Sequence, residues 1–344
     1  KIEGKQEFNF SNKGKQTNVN FANVKSKAKG ASCLSECAII GRDDTVFGPP
    51  YSYGGLLLIS SPSDTSGTYL TYPNGSSITP TSIDPHLGGY SGYGWQEIAK
   101  FGNRIFVGLR LLGTTTRKIV EFQLNLDCTA SFTRVIDIPI LPYSGGNTSA
   151  YIANLCSKDA NTLIGLDESI NVWFEIDIST NTASITELFS GYGGGDSVYV
   201  PTSSTIVNMN NSANAVIKGV EHIDMNGALI DQVALSTISP QFGGNPGGPS
   251  GWFSAYCFHG DIYTHSHAGT VLQWSLSSSG GLNHVGTFAG VTGFNDAASS
   301  PICCGLYPTQ GCMDPTALNY DPLATADCNG IVGGNAITCC EYPC

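Results

Sequence analysis

Two histidines in this chain have the spacing to bind a metal ion. His265 and His267 are separated by one residue, so on a β-strand both imidazoles point to the same side. His259 precedes them across an expected turn and is a candidate third ligand. The alternative, which we favour, is a pair of polar residues on the exposed face of a strand.

Three carboxylates, Glu97, Asp196 and Asp296, each lie near the start of a repeated unit of the sequence. Paired carboxylates perform acid–base chemistry in glycoside hydrolysis, and equivalent positions in a closed ring of units can line its central channel. The simpler interpretation is that these side chains accept hydrogen bonds from backbone N–H groups. The chain has no G-x-S-x-G nucleophile elbow, no phosphate-binding glycine loop and no dinucleotide fingerprint, so we predict no catalytic residue.

The units that position these residues recur about every fifty residues, from near residue 31 to near residue 304. Each contains a turn rich in Gly and Ser, a strand of small residues, a hydrophobic strand, an alternating strand and a short apolar strand. The clearest copies of the alternating strand are residues 119–124, 172–178, 220–225 and 271–276. Four strands per unit with period-2 alternation predict an all-β fold, a β-propeller.

Six starts of units can be recognised, but only five are followed by a complete unit. They lie at residues 32–37, 94–98, 148–152, 195–199, 251–255 and 293–297. The sixth start, at Phe294, runs into the cysteine-rich end of the chain. We therefore expect five or six blades, with the sixth start either closing the ring or pairing with the N-terminal arm. Closure would remove exposed sheet edges, which otherwise template aggregation.

Residues 1–30 are predicted to form an extended basic arm. The arm has seven lysines and two glutamates, although the whole chain has a net charge of −11. Such an arm is either a solvated tail or a segment that docks on an acidic protein surface or another subunit. Nucleic-acid binding is disfavoured because the arm lacks arginine and any dense basic run. The residues that we assign to anchoring are Lys5, Phe8, Phe10, Lys13, Lys15 and Phe21.

Glycine-rich insertions with aromatic residues lie between successive units, at residues 87–94, 143–146, 192–195 and 242–248. Because they recur at matching places, we expect them on one face of the ring. Tyrosine and tryptophan beside flexible glycine are typical of binding surfaces, although glycine also serves tight turns between blades. The predicted ligand-binding residues are Tyr90, Tyr93, Trp95, Tyr192 and Trp252.

The last segment, residues 305–344, is short and rich in cysteine. Of the twelve cysteines in the chain, seven follow residue 300, which is typical of a disulfide framework formed in an oxidising environment. Vicinal cysteines are expected to bond to different partners. Cys128, Cys156 and Cys257 fall in separate blades, so we expect buried free thiols or inter-blade bridges among them.

Residues 311–328 resemble a short module, G-C-x-D-P-x-A-x-N-Y-x-P-x-A-x-x-D-x-G-x-C. This module recurs at the ends of extracellular proteins of Bacteroidota and in virion proteins of marine and related bacteriophages. The match includes Gly311, Cys312, Asp314, Pro315, Ala317, Asn319, Tyr320, Asp321, Pro322, Ala324 and Asp327. It departs at its end, where Cys328 directly follows Asp327. The resemblance covers a small part of the chain and implies location and display rather than chemistry.

The aspartates of this module, Asp314, Asp321 and Asp327, offer oxygen ligands that could bind Ca²⁺ together with backbone carbonyls. Their spacing is not that of an EF-hand loop, so we favour roles in capping turns. Beyond this candidate calcium site, no cofactor is predicted.

Together these features predict a non-enzymatic virion surface protein, a fibre, decoration or host-attachment component of a bacteriophage. The arm would bind other virion or surface proteins, and the propeller, residues 31–304, would contact a host surface protein or glycan within a larger oligomeric assembly. We expect no membrane insertion, and no secretory signal is visible. A secreted bacterial adhesin is the alternative, and a propeller glycan hydrolase or lyase the third possibility. All three imply an extracellular location or a virion surface.

Overall fold

The protein is described by a computed structural model in which twenty strands form five sheets of four. The described residues are 39–43, 55–87, 93–111, 117–139, 152–167, 170–210, 218–239 and 252–304, with 312, 314, 316–318 and 340–342. The sheets form a five-bladed β-propeller, which confirms the predicted fold class and selects five blades. Within these residues, no helix is long and apolar enough to cross a membrane.

The blades follow the chain in order, and neighbouring strands in each pair antiparallel. Blade 1 contains β1 (Ile39–Asp43), β2 (Leu56–Ile59), β3 (Thr68–Tyr69) and β20 (Phe294–Ala298). Blade 2 contains β4 (Tyr93–Phe101), β5 (Arg104–Leu111), β6 (Arg117–Leu124) and β7 (Ala130–Ile138). Blade 3 contains β8 (Ile152–Ser157), β9 (Thr162–Asp167), β10 (Val172–Asp177) and β11 (Ser184–Ser190). Blade 4 contains β12 (Asp196–Val200), β13 (Thr205–Asn210), β14 (Gly219–Asp224) and β15 (Leu229–Ala234). Blade 5 contains β16 (Trp252–Phe258), β17 (Asp261–Ser266), β18 (Thr270–Leu276) and β19 (Leu282–Ala289). Two short helices, α1 (Pro80–Ile83) and α2 (Leu235–Ile238), lie outside the sheets.

The ring is closed by the last strand, which joins the first blade. In blade 1 the strand order is β20-β1-β2-β3, and the register pairs Ile40 with Ala298. The sixth start of a unit therefore closes the ring, which was one of the two arrangements that we expected for it. The start proposed at residues 32–37 lies outside the described residues, and β20 supplies the innermost strand of this blade.

The alternating strands of the sequence are the third strands of their blades, β6, β10, β14 and β18, as predicted. In two of the four strands an aspartate near the end of the strand caps the following turn. Asp224 Oδ1 accepts hydrogen bonds from the N–H groups of Asn226 and Ala228, each at 2.8 Å. Asp177 Oδ1 accepts one from the N–H of Ser179, also at 2.8 Å. The sequence pattern thus indicates both the buried face of the strand and the turn that follows it.

The blades are held together by apolar clusters between them. One cluster joins Val207 of blade 4 to Ala255 and Trp274 of blade 5, all of them buried. Trp274 is large and fully buried, and its indole N–H donates to Thr264 Oγ1 at 2.9 Å. Satisfying this donor allows the ring to be buried without the cost of an unpaired polar group.

A disulfide holds the segment that follows the closing strand. Cys257 in β16 is bonded to Cys304, which ends a short 3-10 turn at Pro301–Cys303. Nearby, the N–H of Cys257 donates to Ser299 Oγ at 2.7 Å. Because the Cys257–Cys304 bond joins blade 5 to the segment that follows β20, we call it the closure disulfide. It confirms an expected inter-blade bridge, whereas Cys156 is a buried free thiol.

We expect the double substitution Cys257→Ser and Cys304→Ser to lower the free energy of unfolding by about 2–4 kcal/mol. The bond constrains the unfolded chain across 47 residues of sequence and holds the closing strand in place. Denaturant unfolding of the propeller would measure the loss. The control is Cys312→Ser with Cys340→Ser, which removes a disulfide of the C-terminal segment. Equal effects of the two double variants on the propeller transition would contradict the closure role.

A buried carboxylate of blade 2 holds two arginines at the contact with blade 3. Glu121 lies between Arg104 and Arg134, whose Nε atoms are 2.7 Å from Glu121 Oε1 and Oε2 respectively. Arg134 also donates to the carbonyl oxygen of Ile178 in the next blade at 2.7 Å. Burial alone would raise the pKa of Glu121, but the hydrogen bonds and charges of the two arginines outweigh it and lower that pKa.

We expect Glu121→Gln to lower the free energy of unfolding by roughly 1–3 kcal/mol at pH 7, because charge-assisted hydrogen bonds are lost. Since the folded-state pKa of Glu121 is lowered, its contribution is present above the unfolded pKa. The difference between the two proteins should begin to shrink as the pH falls below about 4.3, the ordinary pKa of a glutamate, and it is lost as the pH falls through the lowered folded pKa. The control, Glu175→Gln, breaks the surface pair with Lys158 and should change stability by under about 1 kcal/mol. A constant difference from pH 7 to pH 3 would contradict this account.

Candidate functional site at the propeller centre

Each innermost strand contributes one buried polar residue at an equivalent position. These residues, which we call the central ring, are Glu97 in β4, Asn154 in β8, Asp196 in β12, Ser254 in β16 and Asp296 in β20. Glu97 is 9% exposed and the other four are fully buried. In β4, β8 and β16, the pairing register with the neighbouring strand shifts beside the ring residue. This shared irregularity shows that the ring residues of these strands occupy equivalent positions.

The ring residues reach towards the next blade. Asp296 Oδ2 accepts a hydrogen bond from the N–H of Ile98 at 2.5 Å, and Asp196 Oδ2 accepts one from the N–H of Ala255 at 2.7 Å. Ile98 and Ala255 each follow a ring residue of the next blade. The backbone-bonding role expected for these aspartates is therefore present, and it links blades rather than capping turns.

Three carboxylates of the central ring also converge. One oxygen from each of Glu97, Asp196 and Asp296 lies within 4.8 Å of the others. At that separation, two charges repel by about 3 kcal/mol at an effective dielectric constant of 20. Burial raises the pKa of Asp196 well above its ordinary value, and the charge of Asp296 raises it further. The cluster therefore favours either a bound proton or a bound cation.

The ring continues outward through a network of amides in blade 4. Ser197 Oγ donates to Asn154 Oδ1 at 2.6 Å, Asn154 Nδ2 donates to Asn208 Oδ1 at 3.3 Å, and Asn208 Nδ2 donates to Glu221 Oε2 at 2.9 Å. Gln232 Nε2 in the outermost strand donates to Glu221 Oε1 at 3.0 Å. Burial raises the pKa of Glu221, and these hydrogen bonds oppose the rise. One connected polar path thus runs from the propeller centre to the edge of blade 4.

A cavity of about 10 Å³ lies among the innermost strands, lined by residues that include Lys100, Val198, Tyr199 and Ala297. This volume is about that of one water molecule, whereas small-molecule sites measure roughly 300–1,000 Å³. The cavity therefore has no room for a sugar or a metabolite.

The histidine pair lies elsewhere, in blade 5. His265 is buried, and its Nε2 lies 2.8 Å from the carbonyl oxygen of Val291, so Nε2 carries the proton. Burial lowers the pKa of His265 to about 4, so the ring is neutral at pH 7. His267 is half-buried, and His259 is exposed in a turn with φ of 49°. Among the described residues, the carboxylates of the central ring form the one group with three potential metal ligands in reach of each other.

Of the predicted ligand-binding aromatics, only Tyr192 has a described side chain. It is half-buried, adopts a positive φ of 58°, and its hydroxyl donates to the carbonyl oxygen of Gly227 at 3.2 Å. Tyr93 and Trp95 fall in β4 and Trp252 in β16, but their side chains and the whole of Tyr90 lie outside the described residues. The anchoring residues Lys5, Phe8, Phe10, Lys13, Lys15 and Phe21 lie outside them as well.

In the C-terminal segment, Asp314 caps a turn. Its Oδ1 accepts hydrogen bonds from the N–H and hydroxyl of Thr316 at 2.9 and 2.7 Å, and its Oδ2 accepts one from the hydroxyl of Tyr342 at 2.7 Å. Cys312 and Cys340 are disulfide-bonded beside it. Asp321 and Asp327 lie outside the described residues. The favoured role of Asp314 in capping agrees with these contacts.

No protein-family model and no curated protein matches the sequence. Among solved structures, the chain is similar to the Cps50 (Swd1) β-propeller domain of Myceliophteria thermophila, with 9% identity and a TM-score of 0.37 over 57% of this chain and 58% of that one. It is also similar to AztD of Citrobacter koseri, with 9% identity and a TM-score of 0.34 over 76% of this chain and 58% of that one. A chain of a nidogen/laminin complex gives 11% identity and a TM-score of 0.40, over 76% of this chain and 97% of that one.

The match spans less than two thirds of the length of the first two proteins. At these identities and scores, the similarities carry no argument about what this chain binds or does. The assignment of the propeller rests on the strand topology instead.

We expect Gly194→Ala to lower the free energy of unfolding by about 1–3 kcal/mol, because overpacking strains a buried contact. A Cβ at Gly194 would lie 2.8 Å from Asn154 Nδ2 and 3.0 Å from Asn208 Oδ1, within the amide network. Gly286→Ala is a matched control, since the nearest atom to its Cβ would be Gln273 Oε1 at 3.7 Å. Denaturant unfolding of both variants measures the difference, and equal stabilities would contradict a close-packed network.

Proposed function

We propose that this chain is a non-enzymatic surface protein of a bacteriophage virion, and that its propeller displays a binding surface for a host protein or glycan. The observation that carries the proposal is the small size of the cavity among the innermost strands, about 10 Å³, which leaves no room there for a sugar or a metabolite. Carboxylates that bond backbone N–H groups of neighbouring blades hold the scaffold together there. Contact with a ligand then falls to the faces and rim of the propeller.

The cysteines support an extracellular setting. The closure disulfide and the Cys312–Cys340 bond are features of proteins in an oxidising environment. The resemblance of residues 311–328 to a module of virion and extracellular proteins points the same way. A location on the virion surface accounts for both the disulfides and the resemblance to this module. Release by lysis lets the disulfides form after the chain leaves the cell.

The arm and the propeller have separate roles in this proposal. Residues 1–30 are basic in a chain of net charge −11, which suits docking on an acidic neighbour in the particle. The propeller and its loops face outward and contact the host. The assembled particle supplies many copies, so weak contacts of each propeller add up to firm attachment.

The test compares the full chain with a chain lacking residues 1–30 in co-sedimentation with source particles and, separately, with host cells. A charge variant, Lys5→Glu with Lys13→Glu and Lys15→Glu, addresses anchoring without truncation. Its matched control is Lys25→Glu with Lys27→Glu and Lys29→Glu, which makes the same charge change outside the assigned anchor.

We expect association with particles to need the arm and its first lysines, and association with cells to survive truncation. If the truncated chain binds particles as well as the full chain does, the arm is not an anchor. Binding to cells alone, with no association with particles, would instead support a secreted adhesin. Cleavage of surface glycans by the purified chain would overturn the non-enzymatic role.

A further inference from the structure

We propose that the central ring binds one calcium ion through Glu97, Asp196 and Asp296, with the hydroxyl of Ser254 as a further ligand. The site lies at the propeller centre and is separate from the candidate aspartates of the C-terminal module. It does not depend on the proposed virion function, since it would hold the blades together whatever the propeller displays.

The three carboxylates have the spacing of ligands on one hard cation. Calcium binds oxygen atoms at 2.3–2.6 Å, so two of its ligands are at most about 5 Å apart. One oxygen from each of the three side chains lies within 4.8 Å of the others. Although both oxygens of Asp196 accept backbone hydrogen bonds, each carboxylate oxygen has a second lone pair for a metal ion.

Ser254 supplies an independent reason to place a ligand here. Its Oγ is fully buried and has no hydrogen-bond partner among the described residues. Ala255, the next residue, donates its N–H to Asp196, so Ser254 lies at the level of the carboxylates. Side chains alternate along β16, so Ser254 lies on the same face of that strand as Tyr256. Tyr256 belongs to the apolar cluster that contains Ile39 and Ala297, so this face is turned towards blade 1, the blade that contains Asp296.

Lys100 is a buried basic residue three positions after Glu97 in β4, and its charge is the alternative means of balancing the acidic cluster. Four ligands from four different blades give an irregular oxygen set, which calcium accommodates better than magnesium because magnesium requires near-octahedral geometry.

The first test is thermal unfolding of the full chain in 2 mM CaCl₂, in 2 mM MgCl₂ and in EDTA. We expect calcium to raise the Tm by at least about 3 °C over EDTA, with a smaller effect of magnesium. Asp196→Asn or Asp296→Asn should abolish the calcium shift. Glu187→Gln, which removes an exposed carboxylate in β11, is the matched control and should retain it.

Ser254→Ala addresses the case in which a carboxylate variant does not fold. We expect it to fold and to bind calcium roughly 3- to 10-fold more weakly in a calorimetric titration, in proportion to one lost ligand. Asp314→Asn distinguishes calcium binding at the central ring from calcium binding at the C-terminal module. The proposal is overturned if calcium gives no shift in the wild-type chain. It is overturned equally if Asp314→Asn abolishes the shift, or if Ser254→Ala leaves the affinity unchanged.

Discussion

Closure of the ring by β20 is the interaction on which the rest of the structure depends. Each blade buries its apolar faces against two neighbours, so an open ring would leave two faces and two sheet edges exposed. The pairing of Ile40 with Ala298 joins segments from near the two ends of the described propeller. Such non-local contacts are costly in chain entropy and form late. The closure disulfide lies close to this strand pairing, where it reduces the entropic cost of closing the ring.

The same closure assembles the acidic centre. Asp296 belongs to the last strand, whereas Glu97 and Asp196 belong to blades 2 and 4, and the three converge only when the ring is complete. The converging carboxylates oppose closure by mutual repulsion, while the apolar clusters between blades favour it. A cation or a shared proton at the centre would remove this repulsion and make closure more favourable. The chemistry of the site and the stability of the fold are therefore coupled.

The sequence predicted the architecture because blade repeats carry a local signal. The alternation of residues 172–178 reflects one buried face, and Asp177 near its end reflects one turn, so both can be recognised without tertiary information. The convergence of Glu97, Asp196 and Asp296 was foreseeable from their equivalent places in the units. Ser254 and Asn154 were missed because neutral residues carry no chemical signal, although alignment of the unit starts could have found them. The pairing of Cys257 with Cys304 depends on spatial proximity, which cysteine spacing does not encode.

The direction of the central hydrogen bonds suggests why polar residues persist at the axis. Apolar faces of neighbouring blades can slide over one another at small cost, because dispersion and burial are not directional. Asp196 and Asp296 each bond one N–H of the next blade, and a slip of one residue would leave a buried carboxylate and a buried N–H unpaired. Each unpaired group costs about 1–3 kcal/mol. The ring thus selects one register between blades and makes the scaffold rigid.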